Sequence, residues 1–327
     1  MNRYWQVTME DRASSAPVQE GISGLYNQHF GLSATPFTLT PDTQFFFANA
    51  TATDALNTLI LAVRSGEGFT KVVGEVGTGK TLLCRKFLDA LGARFVTAYI
   101  PNPYLEPMTL LLAIADELGV RYPENVSQHQ LLRALNYFLI DTFARSQRTV
   151  VVCLDEAHAM PTETLEALRL LSNLETEKRK LLQIVLFGQP ELDARLEHPS
   201  VRQLRQRITF SARLEPMRRE QVGKYVAHRL QVAGYQGARL FTLPALHLLF
   251  RGSGGTPRLV NIIAHKALAC AYGEGDDRVR ASHVRLAIAD TESAAENMRA
   301  HRRRNIALAS AAAGSAIGAA AMLGGWL

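Results

Sequence analysis

Thr149-Val150-Val151-Val152-Cys153-Leu154 leaves no polar face along an extended chain, so both of its sides must be covered by other elements. Phe69 to Val73, Phe95 to Ile100, and Ile184 to Phe187 with its lead-in Leu181-Leu182 have the same β-rich, apolar character. Between them the spacing predicts helices from Ala55 to Val63, after Gly79, from Met108 to Leu118 and from Gln130 to Phe143. Buried strands alternating with helices imply an α/β fold, a mostly parallel sheet covered on both faces. A shorter alternating run, Ile208 to Leu214, would close that sheet. Past Pro216 the character changes. Arg219 to Val232, Pro244 to Arg251, Pro257 to Tyr272 and Ala281 to Ala289 all have helical spacing, which predicts a small, separate all-α lid. A chain of 327 residues, 47% of them hydrophobic, can bury cores for both parts.

The first apolar strand runs into Gly74-Glu75-Val76-Gly77-Thr78-Gly79-Lys80-Thr81, followed by Leu82 and a helical pattern. Strand, glycine-rich loop and helix in that order form the context of a Walker A loop. The glycines let the backbone curl so that successive N–H groups face phosphate oxygens, and the positive end of the new helix faces the same anion. Residues 74–82 are thus expected to bind ATP, with Lys80 neutralising the outer phosphates and Thr81 offering its hydroxyl to Mg²⁺.

The strand at Thr149 ends in Asp155-Glu156, the form of a Walker B element. At the C-terminal edge of a parallel sheet Asp155 would hold Mg²⁺, and Glu156 would polarise the attacking water as general base. His158 reads as a polar loop residue, because Glu156 already supplies the chemistry. Gln189, in Gly188-Gln189-Pro190, places an amide at the sheet edge between the two Walker strands, suited to orienting water or touching the γ-phosphate. Arg202, Arg205 and Arg207 form either a solvated basic face or the source of an arginine finger acting on a neighbour's nucleotide. In Gly254-Gly255-Thr256-Pro257-Arg258, Thr256 caps a lid helix and Pro257 opens it, so that Arg258 would reach toward the γ-phosphate.

The formal charge of +6 permits contact with nucleic acid, yet much of the excess sits in Arg299, Arg302, Arg303 and Arg304. Nucleic acid is therefore not expected among the partners. Cys84, Cys153 and Cys270 lie in apolar patterns without metal or disulfide spacing and read as core residues in a reducing compartment. Residues 1–24 read as a flexible leader without the apolar stretch of a secretory signal. The aromatic segment from Tyr26 through Phe47 reads as packing on the core near the nucleotide, residues 25–215 as the nucleotide-binding core, 216–290 as the lid and 291–305 as a basic connector. Residues 306–327 contain no charged side chain and as a helix would extend roughly 33 Å, enough to cross a hydrocarbon core. With the arginine cluster before it, this tail predicts a cytoplasmic domain anchored to the bacterial inner membrane by a C-terminal transmembrane helix.

Taken together, these strings resemble the P-loop NTPases of the AAA+ class, specifically the general secretion pathway protein A group and its members that serve MSHA-type pili. The resemblance runs from Tyr26 to Ala289. It also rests on His29-Phe30-Gly31-Leu32 with Pro36-Phe37, Ser65-Gly66-Glu67-Gly68-Phe69, Tyr99-Ile100-Pro101-Asn102-Pro103, Phe187-Gly188-Gln189-Pro190-Glu191-Leu192, and Gly255-Thr256-Pro257-Arg258 with Asn261. It implies an ATPase that works as a homo-oligomer with pilus or secretion assembly proteins as partners. It also implies that Gln189 is the sensor 1 residue, Arg258 is sensor 2, and Arg205 or Arg207 is the finger. Some members carry a periplasmic peptidoglycan-binding part, which this chain is expected to lack. Two rival readings are a DNA-associated loader and a nucleotide-gated scaffold with little turnover.

Overall fold

The computed structural model describes residues 22–171, 175–176 and 179–299. They fall into two compact units, one made of residues 41–215 and the other of residues 22–40 with 216–299.

In the first unit, helix α2 (Ala50–Arg64) precedes strand β1 (Phe69–Gly74), and α3 (Lys80–Leu91) leads to β2 (Phe95–Ile100). Helices α4 (Pro107–Leu118) and α5 (Gln128–Ser146) connect to β3 (Thr149–Leu154), and α6 (Thr162–Leu171) follows. A two-stranded antiparallel ribbon, β4 (Glu175–Thr176) with β5 (Arg179–Lys180), comes before β6 (Leu182–Gly188). Short helices α7 (Glu191–Leu196) and α8 (Arg202–Arg205) then lead into β7 (Ile208–Leu214). The five long strands form one sheet in the order β2-β3-β6-β1-β7, with every pairing parallel.

Side chains alternate along each strand, so one sequence supplies two cores. Val150, Val152 and Leu154 pack on one face with Leu110, Leu111 and Ile114 of α4 and Leu131, Leu135 and Leu139 of α5. Val151 and Cys153 face the other way, where Leu59 and Val63 of α2 meet Leu83, Cys84 and Phe87 of α3. This two-sided cover is the reason the central strands carry no polar alternation. The edge strand β7 instead alternates between partly buried and exposed side chains, since little covers its outer side. Asn49 caps α2 through its side chain at 2.8 Å, and Ser127 and Gln130 cap α5 reciprocally.

The second unit holds α1 (Ile22–His29), α9 (Arg219–Val232), α10 (Leu243–Ser253), α11 (Pro257–Gly273) and α12 (Ala281–Ala289). Buried Tyr26 on α1 bonds through its hydroxyl to Nδ1 of His265 on α11 at 2.8 Å, and Phe37 meets Phe241 edge-on at 6.0 Å. Buried Arg229 donates to the Pro36 carbonyl, Tyr225 donates to Asn261 Oδ1 at 2.8 Å, and Asn261 donates to the Thr38 carbonyl at 3.1 Å. The carbonyl of Gly255, a residue with φ of +79°, accepts from the Met217 amide at 2.9 Å; a Cβ there would lie 2.0 Å from the Met217 carbonyl oxygen.

Two expectations change here. The aromatic segment is divided: residues 26–40 group with the helical unit, whereas Phe46 packs on the α/β core. Residues 292–299, expected as a connector, are helical, with Ala294 buried and Asn297 donating to the Gly252 carbonyl at 3.1 Å.

The expected inner-membrane anchor is withdrawn. Among the described residues no helix is long and apolar enough to cross a membrane, and residues 306–327, on which the anchor rested, lie outside the described residues. The 19-residue helix α5 has the length but carries Arg133, Asp141 and Arg145 on the side away from its core contacts.

Candidate nucleotide site

Because β3 and β6 lie between β1 and β2, while β7 pairs with the opposite edge of β1, the chain turns in opposite directions on either side of β1. Crevices at such a reversal, outside the C-terminal strand ends, are where α/β sheets bind ligands. The loop after β1 and the turns after β3 and β6 all open there.

Gly77 and Gly79 have φ of 77° and 97°, left-handed values that a side chain would resist. Thr78 closes the curl by donating its hydroxyl to the Glu75 carbonyl at 2.8 Å. Gly79 occupies the N-cap of α3 and supplies no side-chain cap, so the first amides of a 12-residue helix point at the crevice with no side-chain acceptor on them. Lys80 is buried, and its Nζ rests on the carbonyls of Gly74 at 2.8 Å and Glu75 at 3.0 Å. Burial lowers its pKa, while the charges of Glu156, Asp155, Glu75 and Glu191 oppose that shift. Val76, at the tip of the loop, is exposed, and Leu82 is half-buried on α3.

Asp155 ends β3 and is buried. Its Oδ2 accepts from Thr81 Oγ1 at 2.6 Å and from the Tyr99 hydroxyl at 3.2 Å, and its Oδ1 accepts from the Glu156 amide at 3.0 Å. Burial raises the Asp155 pKa; the three hydrogen bonds pull it back, and the neighbouring Glu156 charge adds to the rise. A carboxylate and a hydroxyl brought within 2.6 Å of one another, next to an anion cradle, are a fitting oxygen donor set for Mg²⁺.

Glu156 has left-handed backbone angles of φ 53° and ψ 32°, which turn the chain sharply out of the strand. Its Oε2 lies 3.5 Å from Nε2 of His158, and that same nitrogen lies 2.7 Å from Nε2 of Gln189 at the end of β6. Arg195 on α7 fixes this turn by donating to the His158 carbonyl at 2.6 Å. Walker A, Walker B and Gln189 are therefore assembled at one sheet edge.

The arginines are placed differently. Arg205 ends α8, exposed and 4.0 Å from Glu197, and Arg207 is half-buried just before β7. Arg258 is exposed at the second position of α11 in the helical unit. Three contributors were not foreseen as site residues. In the sequence Tyr99 stands only within the string Tyr99-Ile100-Pro101-Asn102-Pro103, His158 reads as a polar loop residue, and Arg195 gives no signal, since a contact across two strand ends has no sequence period.

Residues 63–196 match the AAA domain family. General secretion pathway protein A of Aeromonas hydrophila is 41% identical over 263 residues, covering 80% of this chain and 48% of that protein. The chain is therefore similar to the AAA+ proteins of the general secretion pathway A group. It spans about half the length of that curated relative. The fold is also similar to Cdc6p from Pyrobaculum aerophilum, with TM-score 0.60 and 18% identity over 76% of this chain and 70% of that one. Drosophila ORC bound to DNA aligns with TM-score 0.59 and 19% identity over 88% of this chain and 71% of that one. A Walker-type ATPase of Pyrococcus abyssi aligns with TM-score 0.56 and 14% identity over 82% and 80%. At these identities the likeness is one of fold.

Proposed function

We propose that this AAA+ ATPase binds Mg²⁺·ATP in the crevice after β1 and hydrolyses it as a homo-oligomer, driving assembly steps of a type II-like secretion machine or an MSHA-like type IV pilus. The observation that carries the reading is the 2.6 Å contact between Thr81 and Asp155, which joins the two Walker elements beside the buried ammonium of Lys80. The loop amides of residues 77–82 and Lys80 hold the phosphates. Thr81 and Asp155 would hold Mg²⁺, which when bound supplies positive charge against the negative charge on the phosphate oxygens. Glu156 accepts the proton of the attacking water, and its carboxylate, 43% exposed, is open to solvent for that role. Gln189 orients the water, Arg258 supplies a cation from the helical unit, and Arg205 or Arg207 supplies one to a neighbouring copy.

The secretion or pilus assignment draws on the Aeromonas relative's name together with the flanking strings. The test is Glu156→Gln. It should bind a fluorescent ATP analogue with the affinity of the unmodified protein and release phosphate at least ~100-fold more slowly. Undiminished turnover would sink the reading.

A further inference from the structure

His158 stands at the centre of the contact between Glu156 and Gln189. It lies on the single turn Ala157–Ala159 directly after β3, with its side chain 16% exposed. Its Nε2 is within 2.7 Å of the Gln189 amide and 3.5 Å of the Glu156 carboxylate. Its other nitrogen, Nδ1, is buried with no hydrogen-bond partner. The backbone beneath it is clamped by Arg195 at 2.6 Å.

An imidazole nitrogen presents either an N–H or a lone pair, not both at once. When Gln189 directs its NH₂ at Nε2, that nitrogen must accept, and it has nothing to give the carboxylate. When Nε2 carries the proton, it donates to Glu156. In most histidines the partner of the second nitrogen fixes which tautomer is present. Here Nδ1 has no such partner, so the tautomer is set by whichever of the two neighbours claims Nε2. Gln189 and Glu156 therefore compete for one atom.

We propose that His158 is a positioning residue for hydrolysis: with Gln189 on its Nε2, the imidazole confines the Glu156 carboxylate in one arrangement and leaves it free to accept a proton, whereas without Gln189 the same nitrogen donates to that carboxylate and blocks it. The catalytic carboxylate is thereby tied to the residue at the end of β6, and water is activated only after Gln189 has taken the imidazole. This rests on the reading of Glu156 as the base for ATP hydrolysis. It gives a reason for the left-handed backbone at Glu156, which holds the carboxylate within reach of a side chain two residues on.

The test is a double-mutant cycle on the full chain, reading kcat and KM for ATP together with affinity for a fluorescent ATP analogue. His158→Ala and Gln189→Ala should each lower kcat by about tenfold or more while KM and analogue affinity stay within about twofold. The double variant should be no slower than the slower single variant, within about twofold, because both substitutions break one linkage. His158→Gln, whose amide reaches the position of Nε2 and can donate or accept, should recover part of the His158→Ala loss. Wild-type kcat in His158→Ala, or losses that multiply in the double variant, would overturn the proposal. If His158→Ala fails to bind the analogue, His158→Gln takes its place in the cycle under the same criterion. Glu156→Gln is measured alongside. Full turnover there defeats the hydrolysis reading itself, whereas an inactive Glu156→Gln beside an unaffected His158→Ala defeats only the role of His158.

Discussion

At the scale of single residues, the site is built from groups held at a cost. Lys80 and Asp155 are both buried, and burial moves each toward its neutral form. Asp155 links stability to pH. Its pKa in the folded protein lies above the ordinary carboxylate value, so its contribution to stability is present below the ordinary value and is lost as pH rises through the raised one. Cation binding needs the ionised form and so runs the other way. Lowering the pH through the weakly acidic window should therefore weaken Mg²⁺-dependent ATP affinity while Asp155 ceases to oppose the stability of the nucleotide-free protein. Titrating affinity and thermal midpoint side by side checks this, and Asp155→Asn should remove this group's contribution to both slopes. Lys80→Ala removes the buried cation aimed at the phosphates and should reduce analogue binding by at least about tenfold, measured by fluorescence titration.

Among the elements, β3 and α11 show how much a sequence pattern reveals. The unbroken apolar run of β3 announces a strand buried on both faces, and Val150 and Val151 do face opposite cores. The boundaries of β1, β2, β3, β7 and most helices follow from apolar periodicity and from Gly, Pro and cap residues. Helices α6, α7 and α8 and the ribbon at residues 175–180 were not expected, since each is too short or too mixed in character to show a period. Asn261 on α11 was legible only as part of a recurring string; in the structure it links Tyr225 to the Thr38 carbonyl. Asn261→Ala should leave the Tyr225 hydroxyl and that carbonyl without their partner and lower stability by ~1–3 kcal/mol, read from chemical denaturation.

For the whole molecule, oligomer formation is the scale at which the arginines can be tested. A finger acts on a nucleotide held by another copy, so Arg207→Ala and Glu156→Gln should each be inactive alone, and mixing them should restore part of the turnover. Absence of recovery on mixing, with recovery for Arg205→Ala instead, would move the role to Arg205. The helical unit teaches a related lesson about organisation. Residues 26–40 precede the α/β unit in sequence yet pack with helices that follow it, through Tyr26 to His265 and Phe37 to Phe241. Nothing local in the aromatic segment distinguishes one apolar surface from another, which is why the sequence does not show that residues 26–40 join the helical unit.

The residues by themselves determined the α/β class, the strand–loop–helix of the phosphate cradle and the paired carboxylates, because each depends on neighbours a few positions away. The tertiary structure decided that Thr81 meets Asp155, that Tyr99 and Arg195 support the site, and that His158 stands between Glu156 and Gln189. Those contacts join the ends of separate strands, and only the order in which the sheet assembles brings such ends within hydrogen-bonding distance.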